Sequence, residues 1–311
     1  MSAHPGTVRE QPGHSRPGSR ATTGEETVYR LNGHSGAEVV LVRCGDVHFV
    51  RKTAGSVEQN ERLLEQAASQ RRFFFSGLPF PRVLCDGVDD RGLAYFEMEY
   101  VAGQTVANMV CEAMPFDTAA VVGALERLFD LLRMTAGCAL PSEAFLAKIS
   151  QIEACRAEAC LPHVDALKAV AQRLRSFCWD GIPQSTGHGD LTLENLLSVQ
   201  QRDVVFIDCD RCFASSWWLD AAKLYQDIAG HWCLRRFHLS DEGGPGLGNA
   251  MAQMDRLALP MRAMIVRLDP ALVLRLPQLI ALHLFRTLPY AKDKRVVGFV
   301  LARMAMVLEK T

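Results

Sequence analysis

The sequence predicts an α+β fold in two lobes: a small antiparallel β-sheet lobe with one helix, then a larger, mainly helical lobe. Three observations carry this expectation. Residues 27–101 hold short β-rich runs set between turn signals, with one helical stretch inserted. From Gln104 onward, apolar residues recur at helical spacing. Inside that helical half, two short β-rich runs, "LLSV" and "VVFID", stand together as a hairpin.

The elements follow in order. Residues 1–26 are rich in Gly, Pro, Ser, Thr and charge and lack the apolar segment of a secretory signal, so they read as a disordered tail. "TVYRL" alternates as a strand does, and "AEVVLVRCGDVHFVRK" is two strands joined by a hairpin at Gly45-Asp46. Ser56 with Gln59 three residues later is a capping-box signal. The helix "VEQNERLLEQAASQRRFFF" follows and stops near Gly77 and Pro79. "RVLCDGV" and "GLAYFEMEYV" are strands around the turn Asp89-Asp90-Arg91-Gly92. The β-rich lobe thus spans 27–103 and the helical lobe 104–311. The latter opens with "TAAVVGALERLFDLLRM", "AFLAKISQIEACRAEA" and "HVDALKAVAQRLRSFC", and helices resume at "WLDAAKLYQDIAGHW" after the hairpin. "GGPGLG" follows no strand and reads as a plain loop rather than a nucleotide loop.

Composition narrows the function classes. The chain has 311 residues, 49% of them apolar, enough for a sizeable core. A net charge of -1 gives no bulk electrostatic case for nucleic acid or an anionic membrane surface. The most apolar run, "ALVLRLPQLIALHLF", is interrupted by Arg275, Pro277 and His283, so no membrane span is expected. The ten cysteines form no framework and are expected as reduced thiols in a cytoplasmic protein. Cys209 and Cys212 form a CxxC, but no second ligand pair completes a zinc site. No heptad run demands a partner helix.

The chemistry concentrates in "HGDLTLENLL", which begins at His188. If Leu196–Val199 pairs with Val204–Ile207 across a Gln200–Asp203 turn, Asn195 and Asp208 face each other at the hairpin mouth. Directly opposed Cβ atoms lie about 5 Å apart. A carboxamide and a carboxylate oxygen there make a hard site suited to Mg²⁺. Asp190, in the loop just before, is placed to take a proton from a hydroxyl. Each residue alone is an ordinary turn former or strand terminator. Together, at this spacing, they form the catalytic-loop arrangement of phosphoryl transfer. His188 is read as a packing element of the loop.

"HGDLTLENLL" followed by "VFIDCD" resembles the aminoglycoside phosphotransferase and choline-kinase-like branch of the protein-kinase-like superfamily. The shared pattern is H-G-D, four residues, N, then I-D, and the likeness extends over nearly the whole chain beyond the tail. It implies a bilobal protein-kinase-like fold with ATP in the cleft. Gly33, Ser35 and Gly36 of "LNGHSGAEVV" would then form the lid over the phosphates. Lys52, which shares a strand face with His48 and Val50, would reach the α- and β-phosphates. Glu61 would pair with Lys52, with Glu65 one turn on as the alternative. The Glu99 carbonyl and Val101 amide would bond adenine, and Asp220 would brace the catalytic loop.

The acceptor is read more coarsely. Only "CDRCFASSWWL" separates Asp208 from Asp220, short for a peptide platform, so a small-molecule hydroxyl is expected. After Asp220 come Asp227, Asp241, Glu242 and Asp255 without a dense acidic run. Arg235, Arg236, Arg286, Lys292, Lys294 and Arg295 stand among them. This favours a sugar-type acceptor, with an aminoglycoside or amino alcohol as the alternative. A nucleotide-binding regulator without turnover is the rival class. It predicts loss of one of Lys52, Asp190, Asn195 or Asp208, and all four are present.

Overall fold

The computed structural model describes residues 25–31, 36–154, 158–240 and 246–309. The N-terminal lobe holds β1 (Glu25–Leu31), β2 (Glu38–Cys44), β3 (Val47–Thr53), α1 (Asn60–Phe75), β4 (Val83–Val88) and β5 (Ala94–Glu99). The strands form one antiparallel sheet in the order β1-β2-β3-β5-β4. β2 and β3 are joined as expected at Gly45-Asp46, where Gly45 takes a positive φ of 59°. β1 starts earlier than "TVYRL". Glu25 and Glu26, expected in the tail, belong to it and pair with Arg51 and Arg43 across the sheet.

A short 3-10 turn, Val57–Gln59, precedes α1. The Ser56 side chain makes no capping bond. Instead, the Gln59 carboxamide oxygen accepts the Gly55 amide at 3.1 Å. The expected capping box is therefore half formed, shifted back by one residue. α1 lays Leu63 and Ala67 against Val83, Ala94 and Phe96 to make the small core of this lobe.

The second lobe starts with β6 (Gln104–Thr105) and α2 (Val106–Cys111), then α3 (Thr118–Met134), α4 (Ser142–Glu153) and α5 (Val164–Ser176). The hairpin β7 (Leu196–Val199) and β8 (Asp203–Phe206) follows, with β6 as its third strand. α6 (Trp217–Ile228), α7 (Arg235–His238), α8 (Leu247–Leu268), α9 (Pro270–Phe285) and α10 (Lys294–Leu308) complete the chain. Side-chain caps set several helix starts: Asp117 accepts the Ala119 and Ala120 amides, Asp269 that of Ala271, and Asp293 that of Arg295. The first half of the expected "GGPGLG" loop, Gly243 to Pro245, lies outside the described residues, and Gly246 caps α8, which begins at Leu247.

The run Pro270–Tyr290 is long and apolar enough to cross a membrane, with a mean hydropathy of 1.3, which the reading from its polar interruptions missed. More than half of it is buried, and it packs between α6 and α10 with Gln278 and His283 inside the lobe. Its apolar character is thus that of a central core helix.

The two lobes share aromatic packing. Phe73 of α1 stacks on Phe80, and Phe80 stacks on Phe206 at the end of β8, with centroids 4.9 and 5.4 Å apart. All three belong to the large core of the helical lobe. The Phe206 amide also donates to the Pro79 carbonyl at 2.8 Å.

Candidate active site

The site is built around residues 187–195. Gly189 has a φ of 84°, and a Cβ placed on it would lie 1.8 Å from the Asp210 carbonyl oxygen. The loop and the segment after β8 touch backbone to backbone there, and the Asp210 amide returns a bond to the His188 carbonyl at 2.8 Å. Only glycine meets both demands. The His188 ring is fully buried between Phe80 and Phe206. Burial lowers its pKa to about 4, against the nearby carboxylates. His188 is therefore a neutral scaffold residue at physiological pH.

One face of α6 holds this loop. Asp220, Lys223 and Asp227 recur at helical spacing. The Asp220 carboxylate accepts the His188 amide at 2.6 Å and the Gly189 amide at 2.7 Å. Lys223 Nζ lies 3.3 Å from Asp190 Oδ1. Asp227 accepts the Leu193 amide at 2.8 Å. Burial pushes both Asp220 and Asp227 up to about 7, with the donated amides opposing it. Asp220 thus braces the loop as the resemblance implied. Lys223 was missed, although its place three residues after Asp220 on one helix face was a readable signal.

Asn195 Nδ2 donates to the Asp190 backbone carbonyl at 2.7 Å and to Asp190 Oδ2 at 3.1 Å. This commits the nitrogen and leaves the carboxamide oxygen as the free hard donor. The hairpin register differs from expectation by one residue. Leu196 pairs with Phe206 and Val199 with Asp203, and the Ile207 amide donates to the Asn195 carbonyl at 3.0 Å. Ile207, not Asp208, stands opposite Asn195. The cause is a tighter turn, in which Gln200 and Gln201 both take positive φ and the Arg202 amide closes onto Val199. Asp208 has a φ of 58°, which breaks the strand alternation. Its carboxylate forms an ion pair with Lys52 from β3.

Lys52 is buried, and its ammonium group meets Asp208 rather than Glu61. The expected Lys52–Glu61 pair is absent among the described residues. Glu61 is exposed, and Glu65 pairs with Arg211 at 3.3 Å. The α1 residues that face the site are Arg62 and Gln66, one turn apart. Both hold Asp210, with Arg62 Nε at 2.9 Å and Gln66 Nε2 at 2.7 Å. Burial alone would raise Asp210, but Arg62, Gln66 and the Arg211 amide outweigh it and hold the carboxyl below its usual range.

Of the nucleotide-side residues, Gly33 and Ser35 lie outside the described residues. Gly36 has a φ of 79°, and its carbonyl abuts Gly55, where a Cβ would come within 2.3 Å. Glu99 ends β5. Its amide donates to the Arg82 carbonyl at 3.0 Å and its carboxylate accepts Arg82 Nε at 3.0 Å. The Val101 amide makes no hydrogen bond among the described residues. The CxxC is not a reactive pair: Cys209 is buried and pushed up to about 12, and Cys212 contacts Arg286.

The fold is shared with solved phosphotransferases. A thermostable mutant of aminoglycoside phosphotransferase APH(4)-Ia in its apo form aligns with a TM-score of 0.63 at 15% identity, over 92% of this chain and 96% of that one. Aminoglycoside phosphotransferase APH(3'')-Id from Streptomyces rimosus ATCC10970 aligns at 0.51 and 19% identity, over 83% and 93%. A putative fructosamine-3-kinase from Haemophilus somnus 129PT aligns at 0.53 and 13% identity, over 92% and 90%. A search of curated protein sequences returns no match. The sequence model of the phosphotransferase enzyme family matches residues 22–259, well over half of the chain. On that match the chain belongs to the phosphotransferase enzyme family.

Proposed function

We propose that this phosphotransferase moves the γ-phosphoryl group of ATP to a hydroxyl of a small, sugar-type acceptor, with Asp190 as the base. The observation that carries the reading is a chain of contacts across the lobes: Lys52 pairs with Asp208, the amide of the adjacent Ile207 bonds the Asn195 carbonyl, and the Asn195 side chain holds Asp190. Lys52 is the phosphate-contacting cation, Gly33, Ser35 and Gly36 the phosphate lid, and the Glu99 carbonyl with the Val101 amide the adenine contacts. Solved relatives of this fold support nucleotide binding, since an APH(4)-Ia mutant forms a ternary complex with ADP and hygromycin B.

The donor set fits Mg²⁺. Asn195 offers a carboxamide oxygen and Asp208 a carboxylate, both hard oxygens. Among the described residues no cluster of three His, Cys, Asp or Glu side chains holds a metal by itself. Two protein donors completed by phosphate oxygens are the usual way this ion is held. Bound there, it would neutralise phosphate charge.

In the transfer, the acceptor oxygen forms a bond to the γ-phosphorus while the bond to the β-phosphate bridging oxygen breaks and ADP departs. The acceptor proton passes to Asp190. Asn195 fixes one Asp190 oxygen and Lys223 the other, so the carboxylate is oriented before the acceptor arrives. Incubation with Mg²⁺-ATP and a panel of sugars, aminoglycosides and amino alcohols tests the reading by product mass. The expected products are ADP and an acceptor heavier by one phosphoryl group. An adenylylated acceptor, or no nucleotide binding, would overturn it.

A further inference from the structure

We propose that the acceptor carries an anionic group besides its reacting hydroxyl, and that Arg286 and Lys148, next to Lys223, receive it. This deepens the phosphotransfer reading and rests on it. The cations form a track leading away from the base. Lys223 touches Asp190. The charges of Arg286 and Lys223 both bear on the buried His283 ring, and Arg286 Nη1 lies 3.0 Å from His283 Nδ1. Arg286 also lies over the Phe213 ring at 5.0 Å, with Nη1 3.4 Å from Cys212 Sγ. Cys212 in turn lies against Gly189, the neighbour of Asp190, where a Cβ would come 3.5 Å from its amide nitrogen. Lys148 of α4 completes the track: it follows Phe145 by one helical turn, and the Phe145 ring meets edge-on, at 5.5 Å, the same Phe213 ring that lies under Arg286. Its burial, and then the charge of Arg286, push its pKa down.

Arg286 and Lys148 have no carboxylate partner among the described residues. Lys148 donates to Gln151 at 2.9 Å. Other nearby arginines are neutralised, Arg62 by Asp210 and Arg235 by Glu194. The acids of α6 are committed to the loop: Asp220 and Asp227 accept its amides. Two cations held within electrostatic reach repel each other, and an anion received between them reverses that sign. A guanidinium stacked on an aromatic ring, with N–H groups left over, is suited to bidentate recognition of phosphate or carboxylate. The same charges would repel the ammonium groups of a polycationic acceptor.

The test uses full-length protein saturated with Mg²⁺ and AMP-PNP, titrated calorimetrically with inorganic phosphate, acetate, glucose 6-phosphate, glucuronate, glucose and kanamycin. The phosphate and carboxylate arms separate the two sources of anionic charge. At least one anionic probe is expected to bind about tenfold or more tighter than glucose and kanamycin. Arg286→Gln and Lys148→Gln, each checked for an unchanged unfolding midpoint, should each remove that preference and leave AMP-PNP affinity within about twofold. Arg286→Lys should keep most of it. An AMP-PNP complex that shows no anion preference, or one indifferent to both substitutions, overturns this inference alone. Failure to bind AMP-PNP would overturn the phosphotransfer reading beneath it.

Discussion

At residue 189 the chain has room for hydrogen and nothing larger. The positive φ and the Asp210 carbonyl 1.8 Å from a would-be Cβ make the glycine of "HGD" a packing requirement between its loop and the segment after β8. Gly189→Ala should destabilise the protein by more than about 2 kcal/mol in urea denaturation, from left-handed strain plus displacement of backbone. Unchanged stability would contradict the close approach. His188 makes a second expectation. Its pKa is about 4 in the fold against 6.5 when free. Between those values the unfolded chain binds the extra proton. The residue's contribution is therefore present above pH 6.5 and lost as pH falls toward 4. Asp220 and Asp227, raised to about 7, act oppositely, their contribution being lost as pH rises through 7. His188→Gln should accordingly lose less stability than the parent between pH 7 and pH 5, by about 2 kcal/mol. Equal losses would show that His188 is not held neutral. The grouping of Asp190, Asn195 and Asp208 was legible at this scale because short spacings carry it. The register between them was not: Gln200 and Gln201 take positive φ, which nothing in a Gln-Gln pair announces.

At the scale of elements, α6 and α1 do the positioning. α6 presents Asp220, Lys223 and Asp227 to residues 188, 189, 190 and 193 of the loop. Lys223→Met should lower kcat about tenfold or more while leaving ATP affinity within about twofold, as expected for a residue that orients the base. A matching loss of ATP affinity would place Lys223 on the nucleotide instead. α1 was read correctly as a helix and incorrectly in phase. The 3-10 turn at Val57–Gln59 precedes it, and its site-facing residues are Arg62 and Gln66, not Glu61. Arg62→Ala should then reduce ADP formation several-fold, while Glu61→Ala changes it less than about twofold. The reverse order would restore the Lys52–Glu61 expectation. Helix existence is periodic and readable from sequence. The rotation of a helix against a distant segment depends on contacts 148 residues apart, such as Arg62 to Asp210, which local pattern does not encode.

At the scale of the molecule, two lobes meet through few but specific contacts. Phe73, Phe80 and Phe206 stack from α1 to the end of β8, beside His188. The Lys52–Asp208 and Arg62–Asp210 pairs also join the first lobe to the segment after β8. The bilobal division was legible because strand and helix periodicities segregate along the chain. Of the proposed cationic track only Arg286 stood among the basic residues read from the sequence, because Lys148 and Lys223 lie on α4 and α6, far along the chain from the end of α9. The measurement that tests the central claim most directly is made on Asp190→Asn. Its ATP-dependent phosphorylation of an accepted sugar-type substrate is compared with its affinity for Mg²⁺-AMP-PNP. The account expects transfer to fall by a factor on the order of a thousand or more with nucleotide affinity within about twofold of the parent. Transfer at the parental rate would contradict it.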